Sequence, residues 1–300
     1  MITIKRILCP TDFSPFSARA LSHAVALARW YRARLSVLHV SPLMPSLSGT
    51  SALAINPITL EPRARAALLA RVREFAAPAL QAGLETHCLL REGPVVADIL
   101  AQARDEKADL IALGTHGHGG FRHLLLGSVA EKVLRKAPCP VLTISGAAAA
   151  SAQAPSRPGS IVCATDFSAP SRRALSYALS LAERAKARLT VLHVVEWPGE
   201  GRGPHAWLAD CREQVENDAL RELRAVVPAE ARTRCAVHER VALGTPWRQI
   251  ARTLQAEHAD LAVLGVHGAH AVERLFGSTA SEVVRAAPCP VLTVRAVDHS

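Results

Sequence analysis

The chain contains an internal repeat, and a repeat of this length constrains the fold more than any local pattern does. Residues 9–14 return with a single substitution as residues 163–168. Two further pairs recur in the same order: RLSVLHV at 34–40 with RLTVLHV at 188–194, and APCPVLT at 137–143 with the same letters at 287–293. Because the copies follow one another along the chain, we expect each to fold into the same unit.

The segment between the copies predicts a linker. Residues 146–158 are mostly small, lack apolar periodicity and end in a proline that precedes Gly159. The sequence therefore predicts a first domain over 1–145 and a second over 159–297. Two domains agree with a length of 300 residues at roughly 100 to 200 per domain, and an apolar content of 49% suffices for a core in each.

Each copy alternates short apolar runs with segments of helical spacing. The runs are continuous rather than alternating in hydrophobicity, which indicates strands buried on both faces. In the first copy the predicted strands are 6–9, 35–40, 86–90, 110–113 and 141–144, and the predicted helices are 17–32, 63–81, 95–106 and 129–136. This order predicts an α/β fold with two doubly wound domains, each a five-stranded parallel sheet with helices on both faces.

A glycine-rich segment follows the fourth strand and leads into a helix. Its spacing is Gly-x2-Gly-x9-Gly-Ser, with Gly114, Gly117, Gly127 and Ser128 at the fixed positions. Glycines let backbone N–H groups approach a ligand, and a helix start presents unpaired donors to an anion. The segment therefore predicts a phosphate site, with a triphosphate as its natural ligand. The alternative is a tight turn at the first two glycines, with Ser128 as the helix N-cap.

Asp12 and Val40 come at the ends of the first and second strands, where ligands of doubly wound sheets bind. A carboxylate there can accept hydrogen bonds from a ribose hydroxyl or an adenine amine, or hold a metal through water. Ser14 and Pro15 already supply a cap and a first turn for the next helix, so Asp12 is not needed for that role. Val40 can offer its backbone to a base edge while its side chain forms wall.

Taken together, these segments resemble those of the universal stress protein family. The likeness covers both halves and rests on the Pro-Thr-Asp opening, the Val-Leu-His-Val strand, the glycine spacing and the Ala-Pro-Cys-Pro-Val-Leu close. The resemblance implies an adenine nucleotide alpha hydrolase-like fold. It also implies pairing of the fifth strands, here 141–144 against 291–294, so that one chain mimics a dimer. Association into homo-oligomers is compatible with the same resemblance.

The resemblance also implies a ligand and its contacts. The ligand would be ATP with Mg²⁺, and the protein would act as a nucleotide-dependent regulator in the response to stress. The implied contacts are Asp12 to the ribose or adenine end, Val40 to adenine through its backbone, Gly114 and Gly117 to the phosphates, and Gly127, Ser128 and Val129 to the terminal phosphates and the divalent ion.

The second copy departs from this pattern. It keeps counterparts of the site residues, which are Asp166, Val194, Gly265, Gly268, Gly277, Ser278 and Thr279. However, only eight residues, 269–276, precede its Gly-Ser pair, and Ala-His-Ala replaces the counterpart of Gly119 and Gly120. A shorter loop with fewer glycines offers fewer free backbone donors. We therefore predict that the second site binds nucleotide weakly or not at all.

Histidines in the two loops leave metal binding open as an alternative function. Three imidazoles can hold zinc, although loop histidines without a carboxylate or cysteine partner more often face solvent or phosphate. The histidines concerned are His116, His118, His123, His267 and His270. No catalytic residue is predicted, because only His116 or His118 could serve as a base beside Ser128. At most, slow ATP hydrolysis or autophosphorylation is expected.

Other classes of function are disfavoured by what the sequence lacks. No Gly-Lys-Ser/Thr occurs, which excludes a Walker P-loop, and no Gly-x-Gly-x-x-Gly follows the first strand. A net charge of +9 favours anionic partners, but 4% aromatic content argues against a nucleic-acid binder that stacks bases. No apolar run approaches the roughly 18 to 20 residues that span a bilayer. The seven cysteines lack zinc or disulfide spacing, so a cytoplasmic protein is predicted.

Overall fold

The two copies form the same alternation of strands and helices. The computed structural model describes residues 2–42, 44–45, 57–58, 60–115, 126–145, 157–196, 206–266 and 277–295. The first copy comprises β1 (Arg6–Thr11), α1 (Pro15–Tyr31), β2 (Arg34–Ser41), β3 (Met44–Pro45), β4 (Pro57–Ile58), α2 (Pro62–Phe75), α3 (Ala77–Gln81), β5 (Thr86–Glu92), α4 (Val95–Asp105), β6 (Leu110–Gly114), α5 (Ser128–Lys136) and β7 (Val141–Ile144). The second comprises β8 (Ser160–Thr165), α6 (Ala169–Ala185), β9 (Arg188–Val195), α7 (Ala206–Val226), α8 (Ala229–Arg234), β10 (Val237–Leu243), α9 (Pro246–Ala256), β11 (Leu261–Val266), α10 (Ser278–Ala286) and β12 (Val291–Arg295).

Ten strands form one sheet, to which each copy contributes five. The order is β10-β9-β8-β11-β12-β7-β6-β1-β2-β5, and the strands within each copy run parallel. The predicted α/β class with two doubly wound units is confirmed. The first copy also contains the short antiparallel pair of β3 and β4, which the sequence did not predict.

The two copies meet at β7 and β12, which pair antiparallel with Leu142 opposite Leu292. Two buried threonines bridge this seam symmetrically. The Thr143 hydroxyl donates to the Val291 carbonyl at 3.2 Å, and the Thr293 hydroxyl donates to the Val141 carbonyl at 3.1 Å. The two threonine side chains therefore add hydrogen bonds between the same two strands that the backbone pairs.

Helices cover both faces of the sheet, as predicted. Residues of β1 alternate between the faces: Ile7 and Cys9 belong to the apolar cluster that includes residues of α1, α2 and α3, whereas Leu8 belongs to the one that includes residues of α4 and α5. Each of the two apolar clusters continues into the second copy. Burial raises the pKa of the Cys9 thiol to about 12, which fits an inert packing residue. None of the helices in the described ranges is long and apolar enough to span a membrane.

Local sequence explains where most helices begin and end. The Ser14 hydroxyl caps α1 by accepting the Ser17 N–H at 3.2 Å, and Pro15 takes the first helical position, as predicted. The single helix predicted over 63–81 is wrong, because the chain breaks at Ala76 into α2 and α3. Pro78 lies just beyond this break, where it has no N–H to continue the ladder and would clash with the preceding turn.

The first turn of α1 lies unusually close to the end of β6. A Cβ on Gly114 would lie 2.8 Å from the carbonyl carbon of Phe16 and 3.0 Å from its oxygen. The second copy repeats the contact, since a Cβ on Gly265 would lie 2.4 Å from the amide nitrogen of Ser171. Real Cβ atoms do not approach backbone so closely. Both glycines are therefore required by the approach of the helix to the strand.

A small cavity of about 50 Å³ lies between the two copies, where α1 faces α6. His23 and Trp30 line it from α1, and Tyr177 and Leu181 line it from α6. Burial lowers the pKa of His23 to about 4, because an imidazolium would be poorly solvated there. The seam therefore holds this histidine in its neutral form at neutral pH.

We expect the stability of the protein to fall as the pH drops below about 6.5. Between about pH 6.5 and the folded pKa of about 4, His23 is protonated in the unfolded chain but neutral in the folded chain, so protons stabilise the unfolded state. The loss should reach roughly 3 kcal/mol at the acid end of this window. His23→Gln should flatten the dependence, measured as the free energy of urea unfolding from about pH 7 to about pH 4. A variant with the slope of the wild type would contradict the assignment.

Gly114→Ala should destabilise the protein by about 1 to 3 kcal/mol, because the added methyl group must push α1 away from β6. Gly159→Ala is the matched control, since the nearest atom to its Cβ would be a carboxylate oxygen of Asp260 at 3.5 Å. The control should change the free energy by less than about 0.5 kcal/mol. Urea unfolding measures both variants, and equal losses would argue against a close-packing role for Gly114.

Candidate functional site

Three of the predicted site residues lie at one edge of the sheet. Strand β1 lies between β2 and β6, so the carboxyl ends of the three strands are neighbours. Asp12 directly follows β1, Val40 is the penultimate residue of β2, and Gly114 ends β6. This is also the point where the strand order reverses, which is where ligands of doubly wound sheets bind.

Asp12 is exposed at this edge and shapes the turn after β1. Its Oδ1 accepts the backbone N–H of Ser14 at 3.0 Å. Partial burial raises the pKa of Asp12, but hydrogen bonds from Ser14 and Ser17 outweigh that effect and hold the pKa below its usual value. The residue is therefore an ionised hydrogen-bond acceptor at neutral pH, in addition to its local role in the turn.

A chain of hydroxyl groups lies beneath Asp12, and the sequence reasoning missed it. The Thr11 hydroxyl accepts the N–H of Phe13 at 2.9 Å and lies 3.1 Å from the Ser17 hydroxyl. Because Ser17 donates its proton to the Ser14 carbonyl at 2.9 Å, Thr11 is the donor in the hydroxyl pair. The second copy repeats these contacts with Thr165, Phe167, Ser168 and Ser171. Their recurrence at equal spacing in both copies was the available signal.

Val40 is the penultimate residue of β2. The side chain is only 6% exposed and belongs to the apolar cluster, so it forms wall. On one side its backbone pairs with Arg91 of β5. On the other side β1 has already ended, because Thr11, its last residue, pairs with His39. The Nδ1 atom of His39 lies 2.8 Å from the Thr11 carbonyl, so this half-buried histidine has a hydrogen-bond partner.

Thr115 closes the glycine-rich segment at its base. Its N–H donates to the Ile144 carbonyl at 3.1 Å, and its own carbonyl accepts the Gly127 N–H at 2.8 Å. Only 1% of Thr115 is exposed. The loop between these anchors contains Gly117 and the histidines at 116, 118 and 123, and residues 116–125 lie outside the described ranges. Gly268 and the histidines at 267 and 270 of the second copy lie outside them as well.

The start of α5 differs from the expectation that Ser128 is its N-cap. Gly127, not Ser128, is the N-cap, so the alternative that Ser128 caps the helix is wrong. The Gly127 N–H is already donated to Thr115, and the first helical bond runs from the Glu131 N–H to the Gly127 carbonyl at 2.9 Å. No side chain caps α5. Helix geometry therefore leaves the N–H groups of Ser128 and Val129 without intrahelical partners.

The second copy reproduces the turn but has a different residue at the position of Thr115. Asp166 Oδ1 accepts the N–H of Ser168 at 3.1 Å. Burial raises the pKa of this carboxyl, but the hydrogen bonds from Ser168 and Ser171 outweigh that effect and hold the pKa below its usual value. Val266 stands where the first copy has Thr115, and no hydrogen bond joins it to Gly277, although the structure describes both residues. Gly277 caps α10, whose first residues are Ser278 and Thr279. Val194 lies half-buried near the end of β9.

Metal binding by the loop histidines is not tested by the described part of the chain. Within those ranges, no group of three or more histidine, cysteine, aspartate or glutamate side chains could hold a metal ion.

Comparison with known sequences identifies the family. A sequence model of the universal stress protein family matches residues 3–145 and again 159–295. Universal stress protein MJ0531 of Methanocaldococcus jannaschii is 36% identical over 143 residues, which cover 47% of this chain and 81% of that protein. Universal stress protein Rv2623 of Mycobacterium tuberculosis is 30% identical over 226 residues, which cover 72% of this chain and 71% of that protein.

Comparison with solved structures shows the same fold. A universal stress protein from Archaeoglobus fulgidus matches with a TM-score of 0.66 at 23% identity, covering 97% of this chain and 98% of its own. A universal stress protein in complex with cAMP matches at 25% identity over 48% of this chain and 98% of its own, with a TM-score of 0.37. Because the family match covers both copies, the chain belongs to the universal stress protein family and carries two such domains in tandem.

Proposed function

We propose that this protein binds ATP with Mg²⁺ at the carboxyl edge of its first half and acts as a nucleotide-dependent regulator of a stress response. The closure of the glycine-rich segment carries the proposal: the Gly127 N–H donates to the Thr115 carbonyl at 2.8 Å. This bond fixes the start of α5 at the same end of the sheet as Asp12 and Val40. The free N–H groups at a helix start can bind phosphates, and the Asp12 carboxylate and the end of β2 can bind a sugar and a base.

The base and sugar would be held by β1 and β2. Asp12 would accept a hydrogen bond from a ribose hydroxyl or from the adenine amine, since its lowered pKa keeps it ionised. Val40 would contact the adenine edge through its backbone, because its buried side chain cannot reach a ligand. The end of β1 beside Val40 leaves room for such a contact.

The phosphates would be held by the loop and the start of α5. The N–H groups of Ser128 and Val129 point out of the helix start and would bind phosphate oxygens. Gly114 and Gly117 would line the path of the phosphates, and Gly127 would act as the cap that orders this end. Mg²⁺ prefers oxygen ligands, which the Ser128 hydroxyl and the phosphates would supply.

The second half would bind nucleotide more weakly. It retains Asp166, Gly265, Gly277 and the residues that follow, but the bond that closes the first loop has no counterpart between Val266 and Gly277 in the described residues. Without that bond the start of α10 is held by one hydrogen bond fewer, and a site that is less preorganised binds its ligand more weakly. Binding of ATP at the first site would also change the surface that a partner meets there.

The domain organisation forms part of the same proposal. We place the domains at 1–145 and 159–297, with 146–158 as the linker, in a cytoplasmic protein. The antiparallel pairing of β7 with β12 would hold the two domains together within one chain, in the manner of a dimer. Nucleotide binding at the candidate sites would then leave the pairing of β7 with β12 in place.

Ser128→Pro should weaken ATP binding by at least about tenfold, because it removes one N–H donor to a charged phosphate. Proline is tolerated at the first position of a helix, and Gly127, with φ −59° and ψ 140°, already has the extended backbone that precedes proline. Ser128→Ala is the matched control, since it keeps the N–H and removes only the hydroxyl. Calorimetric titration of ATP with Mg²⁺ measures affinity and stoichiometry.

The same titration tests the inequality of the two halves. We expect about one tight site per chain, and two sites of comparable affinity would contradict a weaker second half. Unchanged affinity in a folded Ser128→Pro protein would remove α5 from the phosphate site. cAMP is the second probe, and tighter binding of cAMP than of ATP would contradict a triphosphate ligand.

Asp12→Asn should weaken ATP binding by roughly five- to tenfold, because it loses a charged acceptor for the sugar or base. The amide oxygen can still accept the Ser14 N–H, so the turn after β1 should persist. Asp166→Asn makes the same change in the second half and should leave the tight site unaffected. Titration with inorganic triphosphate should not distinguish Asp12→Asn from the wild type. A loss of triphosphate binding would contradict a role for Asp12 at the nucleoside end.

A further inference from the structure

Phe13 adopts a backbone conformation that a bulky residue rarely takes. Its φ is +64°, in the left-handed region, and the residue lies between Asp12 and Ser14 in the turn of the candidate site. Such a conformation costs of order 1 kcal/mol or more and persists only where surrounding contacts hold it. The contacts of the Phe13 ring therefore affect how firmly the turn holds Asp12 in position.

Three side chains hold the ring of Phe13, and we name them with it the Phe13 clamp. The His39 ring lies 4.5 Å from it, centroid to centroid, and Phe75 packs edge-to-face at 5.8 Å. The guanidinium carbon of Arg71 lies 4.2 Å from the ring centroid, within the range of a cation–π contact. Arg71 and Phe75 are four residues apart in α2 and so share one helix face.

The second copy has the strained phenylalanine without the same clamp. Phe167 has φ +63°, and its ring lies 4.3 Å from that of His193. The burial pattern of residues 71–76 repeats over 222–227, with a fully buried Val72 and Leu223 in register. This register puts Glu222 in the place of Arg71 and Val226 in the place of Phe75.

A different contact holds the second turn. The Nε atom of Arg172, on α6, donates to the Phe167 carbonyl at 2.9 Å. Position 18, its counterpart on α1, is an alanine. The first turn is thus held through its aromatic ring from α2, and the second through its carbonyl from α6.

We propose that Arg71 and Phe75 are positioning residues of the first nucleotide site, which fix Asp12 by clamping Phe13, an inference that rests on the proposed ATP site. A ligand that binds only the clamped turn loses apparent affinity in proportion to the fraction of molecules in which the turn has relaxed. In the first half the aromatic and cation–π contacts of the clamp lower the fraction of molecules with a relaxed turn. The exchange of Arg71 for Glu222 also removes the cation that lies over the phenylalanine ring in the first half.

The test gives α2 the second copy's residues in the double variant Arg71→Glu, Phe75→Val. ATP with Mg²⁺ should bind about tenfold more weakly, because two ring contacts that stabilise the competent turn are lost. Amide exchange at Phe13 and Ser14 should become faster without ligand, since their N–H groups donate to Thr11 and Asp12 within the turn at 2.9 Å and 3.0 Å. Urea unfolding of the same variant serves as the check that the fold is intact.

Two controls separate the clamp from other effects. Arg63→Glu makes the same change of charge on α2 about two turns earlier, and it should alter ATP affinity less than twofold. Glu222→Arg with Val226→Phe changes the equivalent positions in the second half and should leave the tight site unchanged. An equal loss of affinity in Arg63→Glu would overturn the clamp in favour of net charge.

Failure of the clamp and failure of the ATP site give different results. A wild-type protein that binds no ATP refutes the proposed function, and the exchange rates at Phe13 and Ser14 still decide whether the clamp holds the turn. Unchanged exchange in the double variant overturns the clamp whether or not ATP binds. Faster exchange with unchanged ATP affinity overturns the link between the turn and the ligand.

Discussion

The antiparallel pairing of β7 with β12 is the contact on which the architecture depends. Each copy would otherwise end in an unpaired edge strand, and such edges expose backbone groups that can pair with other chains. The pairing places Leu142 against Leu292 and joins two five-stranded sheets into one. Both apolar clusters then continue across the seam, so the two domains share their cores. Neither half is a separate body in this arrangement.

Sequence alone predicted those features that depend on local chemistry. The repeated segments, the continuous apolar strands and the Ser14–Pro15 helix start follow from spacing and side-chain type, and the structure has them. The role of Gly114 did not follow, because a glycine that serves a tight helix contact looks the same in sequence as one that serves a ligand. The cap at Gly127 and the pair of β3 and β4 were missed for a similar reason, since both depend on partners elsewhere in the fold.

Differences between the two halves lie outside the motifs that make them look alike. The Thr-Asp-Phe-Ser turn is repeated with nearly equal geometry, including the left-handed φ of its phenylalanine. The neighbours of that turn have diverged, with Arg71 and Phe75 on one side and Arg172 on the other. The base of the glycine-rich loop has diverged as well, with Thr115 in the first half and Val266 in the second. A repeated motif predicts a site in both copies, whereas the strength of each site would depend on such surrounding residues.

The antiparallel seam has a geometric consequence for the two candidate sites. The strands of the first half run antiparallel to those of the second, so the carboxyl ends of one set lie on the same side of the ten-stranded sheet as the amino ends of the other. The two sites therefore face away from each other and cannot share one ligand. If only one of them fills, a body with near two-fold symmetry acquires a polarity. A partner protein could then recognise one end of the molecule as loaded and the other as empty.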